Sequence, residues 1–393
     1  MQTILDSDKE IYLDNSATTP LDDRVRAKML EASYIYGNPS SLHSAGLSAE
    51  KVVSLARTAV LTSLGVRGAK SENLVFTASG TEANNLAIFG SAYAKKRRDK
   101  TKIITSDSEH PSILRALDRL AEDGFEIVKI STRGGALDFG ALESTLDAKV
   151  LLVTFMLVNN ETGALYDLKR AFSMVKRKCP QAITHCDAVQ AFLKVRFSPA
   201  ELGADLVSVS SHKIHGPKGV GALYIHPEII KTKKLIPIIY GGGQEHGFRS
   251  GTENTIGIAG FGEAASIGRE EFAKNAAHMS AMRQKLIDKL TPLELTLNLP
   301  KTAAPHVLSV TLPDIKSETM LHFLSSKGIF VSSGSACSSH SHSSSPTLLS
   351  YGLSSHAADC TVRISLSHMN SDGDLDALVS AISEGIANLV RIK

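Results

Sequence analysis

Ser208-Val209-Ser210-Ser211-His212-Lys213-Ile214-His215-Gly216-Pro217-Lys218-Gly219 reads as a strand that delivers a lysine into a turn. Small and β-branched residues lead up to Lys213, and Gly216, Pro217 and Gly219 then bend the chain. One amine thus stands at a strand end on a stiff loop, beside hydroxyls and imidazoles. Burial and cationic neighbours lower the pKa of such an amine and suit it to Schiff-base chemistry.

Upstream of this stretch, apolar runs of strand length alternate with helical stretches from about Asn73 to Ile225. Leu74–Thr77 precedes a helix from Thr81, and Lys102–Thr105 precedes one opening at Pro111, a favoured first-turn residue. Phe125–Ile130, Val150–Val158, Ala182–Cys186, Leu206–Ser210 and Val220–Ile225 read as further strands. Continuous apolar strands separated by helices predict an α/β fold whose central sheet is mostly parallel and covered on both faces. Ligands are then expected at the carboxyl ends of the strands. Beyond Phe261 the pattern becomes α+β, with helices near His278–Leu290 and Glu318–Lys327 and a last one from Asp372. Strands are expected at Leu295–Leu297, His306–Leu312, Gly328–Ser332 and Thr361–Ser367. The expected division is a large domain over 16–261 and a smaller one from 1–15 with 262–393. A polar Ser/His tract within the smaller domain predicts a mobile loop over about 333–358.

A chain of 393 residues exceeds one ordinary core. Its net charge of +3 gives no electrostatic case for nucleic acid or an anionic membrane, and the run Lys95–Arg98 suits a helix C-terminus. No apolar run is long enough to span a bilayer and no leader pattern follows Met1, so a cytoplasmic protein is expected. Cys179, Cys186, Cys337 and Cys360 show no Cys-x-x-Cys spacing, which argues against a zinc ribbon or disulfide framework. Cys179, Cys186 and Cys360 suit buried thiols, whereas Cys337 lies in a Ser/Gly-rich segment where an exposed, reactive thiol is expected. Cys337, His340, His342 and His356 are metal-ligand types, but their spacing fits no standard site.

Several segments carry chemistry. Ser79-Gly80-Thr81-Glu82 opens a helix after a strand, which suits either a phosphate or an ordinary helix cap. Asp187 ends another strand, where it serves either as a helix cap or as the partner of a protonated heterocyclic nitrogen. His110 suits stacking or proton movement as well as a structural role. Val158–Gly163 places amides at a strand end, and Arg249–Asn254 is a turn suited to an anion.

Together these segments resemble the cysteine desulfurases of the NifS/IscS type, in the class V aminotransferase group of fold-type I pyridoxal-phosphate enzymes. The matching stretches are Tyr12–Pro20, Gly37–Ser41, Phe76–Glu82, Asn159–Glu161, His185–Asp187, His212-Lys213, Arg249–Thr252 and Ser333–Cys337, in collinear order over nearly the whole chain. The resemblance implies pyridoxal 5'-phosphate as cofactor, bound through a Schiff base to Lys213. It assigns the phosphate to Gly80, Thr81, Ser210 and His212, the pyridine nitrogen to Asp187 and the phenolic oxygen to Gln190. His110 is then expected to stack on the ring, with Asn160 near cofactor and substrate. Thr252 is expected to reach the neighbouring subunit's phosphate site, which makes a homodimer. Arg363 is expected to grip the substrate carboxylate as a bidentate fork.

On this resemblance Lys213 removes the Cα proton of L-cysteine and Cys337 attacks its sulfur, leaving L-alanine and a persulfide on Cys337. The persulfide then passes to an acceptor protein, an iron–sulfur scaffold or a tRNA-thiolation enzyme. No firm metal ligands are implied, although Cys337 could serve as a transient iron–sulfur ligand. The chain departs from the family pattern in the Ser/His mixture after Cys337. A further departure is Ser367-His368-Met369-Asn370, where a Gly/Arg-rich turn is expected. Selenocysteine lyase or another class V enzyme, and a non-enzymatic sulfur-relay partner, are the competing readings.

Overall fold

The computed structural model describes residues 10–94, 100–333 and 344–392. The chain enters through a two-residue strand, β1 (Ile11–Tyr12). Seven strands then build one sheet: β2 (Leu74–Thr77), β3 (Lys102–Ser106), β4 (Glu126–Ile130), β5 (Val150–Met156), β6 (Ile183–Asp187), β7 (Leu206–Ser210) and β8 (Gly221–Ile225). Their order is β2-β8-β7-β6-β5-β3-β4, and only β8 runs against its neighbours. The predicted mostly parallel sheet is therefore present, with all seven runs as strands.

Every residue of β5 is buried, as a strand covered on both faces requires. One face packs against helices Gly80–Ala92 and Pro111–Glu122 through Leu86, Ile88, Ile113 and Leu117. The other packs against helices Ser44–Ser63, Leu168–Lys178 and Thr255–Glu270 through Val53, Phe172 and Phe261. Helices Ser44–Ser63 and Thr255–Glu270 approach so closely that a Cβ on Gly262 would stand 2.6 Å from Ala56 Cα.

The second sheet is antiparallel: β9 (Thr296–Asn298), β10 (Val307–Thr311), β12 (Ser332–Ser333) and β13 (Thr361–Ser365), in the order β12-β13-β10-β9. β11 (Ile329–Phe330) instead pairs in parallel with β1. Leu13 thereby joins a second core with Met282, Leu324, Ile364 and Leu378, so the start of the chain and its C-terminal third share one interior. The expected boundary at 261/262 falls inside helix Thr255–Glu270, whose Ala264 and Ala265 belong to the large-sheet core. Within the tract expected as a loop over 333–358, residues Pro346–Tyr351 and Ser355–Asp359 are helical. Ser345 and Ser354 cap these helices, the first with Pro346 at its opening turn. Polar composition thus concealed two capped starts. The basic run Lys95–Arg98 lies outside the described residues.

Candidate active site

The strand ends assemble the floor. Asp187, the last residue of β6, is 6% exposed. It accepts hydrogen bonds from Asn84 Nδ2 at 2.7 Å and from Val189 N at 2.9 Å. Asn84 lies on helix Gly80–Ala92 and also donates to Ser112 Oγ at 2.9 Å. Ser112 Oγ in turn meets His110 Nδ1 at 2.8 Å. His110 caps helix Pro111–Glu122, so its ring has a structural duty besides any chemical one. Burial lowers the His110 pKa first; Asp187 opposes this and Lys213 adds to it, so both charges act on the ring. Adjacent Glu109 is buried, and burial, reinforced by Asp187 and Asp107, pushes its carboxyl up to about 8. Burial thus favours the protonated form of Glu109 beside Asp187.

Antiparallel pairing of β8 brings Thr77 and Ser210 opposite Gly221, which sets Gly80 beside Ser210. A Cβ on Gly80 would stand 2.8 Å from Val189 Cγ2 and 3.4 Å from Ser210 Cβ. One on Gly221 would stand 2.5 Å from the carbonyl carbon of Ser79. The helix therefore begins on a cradle that only glycine permits. Ser210 Oγ and Gln190 Oε1 are buried beside it without a partner. Burial first, then Lys213 and Lys194, lower His212 to about 4, and its Nδ1 lies 3.2 Å from Thr18 Oγ1. Thr81 is exposed, and Arg249 Nε pairs with Glu82 at 3.0 Å behind it. Thr252 is exposed on the loop that follows Arg249.

Lys213 ends a single 3-10 turn after β7, and its Nζ donates to Ser16 O and Ala17 O, each at 2.6 Å. Gln190 Nε2 donates to the same Ser16 carbonyl at 2.9 Å. Ser16 N donates to Ser365 Oγ of the second sheet at 2.8 Å. From β13, Arg363 pairs with Asp14 at 2.7 Å and donates to Asn160 O at 3.0 Å. The segment Asp14–Ala17 thus ties Lys213, Gln190 and Arg363 together, a bridging role that sequence reading missed. Its marker was the polar run Asp14-Asn15-Ser16 between the apolar entering strand and the first helix.

Cys337, His340 and His342 lie outside the described residues. On one side, Ser332 and Ser333 pair with Arg363 and Val362. On the other, Ser345 Oγ donates to Glu161 at 2.6 Å, next to Asn160. Glu161 is buried, and that burial raises its pKa. Both flanks of the Cys337 segment therefore stand at Arg363 and Asn160. Of the departures from the expected pattern, Asn370 donates to Tyr12 O at 3.0 Å and locks the entering strand, while the His368 ring stands 4.6 Å from that of His215. His356 bonds Asp314 at 2.8 Å, and no cluster of three metal-ligand side chains occurs among the described residues. Cys179, Cys186 and Cys360 are buried free thiols, each raised by burial. No helix among the described residues is long and apolar enough to cross a membrane.

The sequence pattern of the aminotransferase class-V family matches residues 11–378. A protein of Vibrio cholerae named cysteine desulfurase IscS is 36% identical, covering 96% of this chain and 93% of that protein. A protein of Methanosarcina thermophila bearing the same name is 35% identical over 99% of this chain and 95% of its own length. Among solved structures, a NifS-like protein superposes with a TM-score of 0.90 at 35% identity, covering 97% of this chain and all of that one, 100%.

Proposed function

The chain belongs to the class-V aminotransferase family, and within it we propose a pyridoxal-phosphate-dependent cysteine desulfurase. The observation that carries the reading is the convergence of Lys213, Gln190 and Arg363 on the bridge Asp14–Ala17, with Asp187 at the end of the neighbouring strand. The site fits the cofactor by its own chemistry. An acid stands at the strand end, a glycine cradle opens a helix, and Ser210 Oγ and Gln190 Oε1 lack partners. Pyridoxal phosphate supplies an electron sink for negative charge at the Cα of an amino acid.

The chain's residues divide the remaining work. Asp187, fixed by hydrogen bonds from Asn84 and Val189, would keep a proton on a ring nitrogen of the cofactor. Ser210 Oγ with the N–H groups of Gly80 and Thr81 receives a phosphate at the helix start. His212 is neutral there, because burial holds it near 4. Gln190 would hold the phenolic oxygen, and His110 would lie against the ring. Lys213 binds the cofactor and afterwards moves the proton at Cα. Arg363, its guanidinium preset by Asp14 and Asn160 O, grips the substrate carboxylate while the Asn160 side chain faces the substrate.

Cys337 thiolate then attacks the substrate sulfur. The S–S bond forms as the Cβ–S bond breaks, the electron pair stays on carbon, and carbon takes up the proton that the substrate thiol gave up. The products are L-alanine and a Cys337 persulfide, which passes to an acceptor protein serving iron–sulfur assembly or tRNA thiolation. Exposed Tyr34, Tyr36 and Leu42 around Gly37–Ser41 support a homodimer in which Thr252 reaches the neighbouring phosphate site.

The test is L-cysteine with dithiothreitol and no keto acid. Equal amounts of alanine and sulfide are expected. Alanine formation that requires an added 2-oxo acid would point to an aminotransferase instead.

A further inference from the structure

Burying an amine without a partner is costly, and folds rarely keep one that has no use. Lys194 is 7% exposed, and its Nζ has no hydrogen-bond partner. It stands seven residues beyond Asp187, and the charges acting on it are those of Lys213 and Arg363. Nearby His306 is 0% exposed with both ring nitrogens unpartnered; it feels Lys194, Arg363 and Arg283. Arg363 Nε also lacks a partner.

The local counter-charges are already engaged. Asp14 pairs with Arg363. Lys194 also lines a cavity of about 40 Å³ that carries Lys213, His215, His368, Asp22 and Glu271 on its walls. Asp22 and Glu271 both pair with Arg24, and burial holds His215 neutral, near 4, and lowers His368. The junction between the two sheets therefore carries donors and positive charge in excess of acceptors.

Such a site relieves its charge by releasing a proton or by taking an anion. We propose that Lys194 is the titratable counter-cation of the substrate carboxylate, taking up a proton as that carboxylate settles against Arg363. The proposal rests on the reading of Arg363 as the carboxylate grip. Lys194 acts here as a positioning residue through its charge and makes no bond to the reacting atoms. Burial first, then Lys213 and Arg363, lower its amine to about 7, so the free protein loses this proton as pH rises through neutrality. A carboxylate nearby favours the charged form and raises that pKa. Affinity for the carboxylate is therefore highest below pH 7 and falls as pH rises above it.

Propionate, which has a carboxylate and no amine, is the probe. With the cofactor-loaded full chain, its Kd is expected to rise about tenfold between roughly pH 6 and 8.5, the scale of one unit charge acting through a screened site rather than in direct contact. Calorimetry in buffers of different ionisation heat should show net proton uptake near neutrality. Lys194→Met should bind weakly with neither the pH slope nor the uptake. Lys194→Arg, charged throughout, should bind tightly across the range without uptake, and it keeps the test open if the Met variant misfolds. If Lys194→Met retains the parent's slope and uptake while Arg363→Ala loses binding, the proposal is overturned and the carboxylate reading stands. If Arg363→Ala binds propionate as the parent does, the carboxylate reading fails and takes the proposal with it.

Discussion

The floor around Asp187 and the junction around Lys194 are both buried and both polar, yet they are built on opposite terms. Asp187, Asn84, Ser112 and His110 form a continuous hydrogen-bonded chain with links of 2.7 to 2.9 Å. At the junction, Lys194 Nζ, both nitrogens of His306 and Arg363 Nε have no partner. The chain of made bonds fixes the Asp187 carboxyl and would need no reorganisation during a reaction, while the unpartnered atoms of the floor, Ser210 Oγ, Gln190 Oε1 and Asn84 Oδ1, are acceptors or hydroxyls rather than cations. A junction with unmade bonds gains more from a ligand than the ligand alone would suggest, because the cost of its empty state is already present. The large sheet thus supplies a fixed frame, and the unmade bonds at the seam with the second sheet are what the proposal for Lys194 puts to the test.

Changes on the floor should have the largest effects. Asp187→Asn keeps the size of the side chain and removes its charge. Alanine formation is expected to fall roughly 10²–10³-fold with folding intact, measured by steady-state rates beside a circular-dichroism melt. An unchanged rate would place the ring nitrogen's partner elsewhere. Gly221→Ala comes next, since the new Cβ would meet backbone atoms of Ser79 and Gly80 at 2.5 to 2.8 Å. About 2–3 kcal/mol of stability should be lost, with weakened cofactor retention, read by denaturant titration and by dialysis.

Asn84→Ala breaks the hydrogen-bonded chain at its middle link. Removing the shared donor of Asp187 and Ser112 is expected to cost about 1–3 kcal/mol in the same titration. Lys194→Met should act in the opposite direction. Its folded pKa, near 7, lies below the unfolded value, so the unfolded chain binds more protons between about pH 7 and 10, and parent stability gains from Lys194 as pH rises. The Met variant should therefore be more stable by about 1 kcal/mol at pH 7, with a gain that shrinks toward pH 10. A variant less stable than the parent at every pH would make Lys194 an ordinary structural residue.

Much of this was readable from residue order alone. β5 shows as a nearly continuous apolar run because both faces of its sheet are covered, and β7 as a run of small and β-branched residues. Lys213 and Asp187 show because they break such runs at their ends. Arg363 and the phosphate corner needed the family resemblance, since a lone arginine or a Ser-Gly-Thr turn carries little by itself. Helix Ser44–Ser63 escaped because its buried stripe includes the small residues Ala49 and Ala56, which mark periodicity weakly. Lys194 and His306 escaped for a different reason. Nothing local distinguishes a buried lysine from an exposed one, and their meaning arises only when β10, β13 and the segment after β6 meet. The bridge Asp14–Ala17 joins residues up to 349 positions apart, a distance no window over the sequence can span.

The central claim is that sulfur leaves cysteine by transfer to Cys337. The most direct measurement incubates parent and Cys337→Ala, both loaded with pyridoxal phosphate, with L-cysteine, and follows alanine together with the intact mass of the protein. The parent should form alanine and gain one sulfur atom, removed by dithiothreitol. Cys337→Ala should still change its visible spectrum on binding cysteine but form no alanine and gain no mass. Alanine formation by Cys337→Ala at the parent rate would contradict the account.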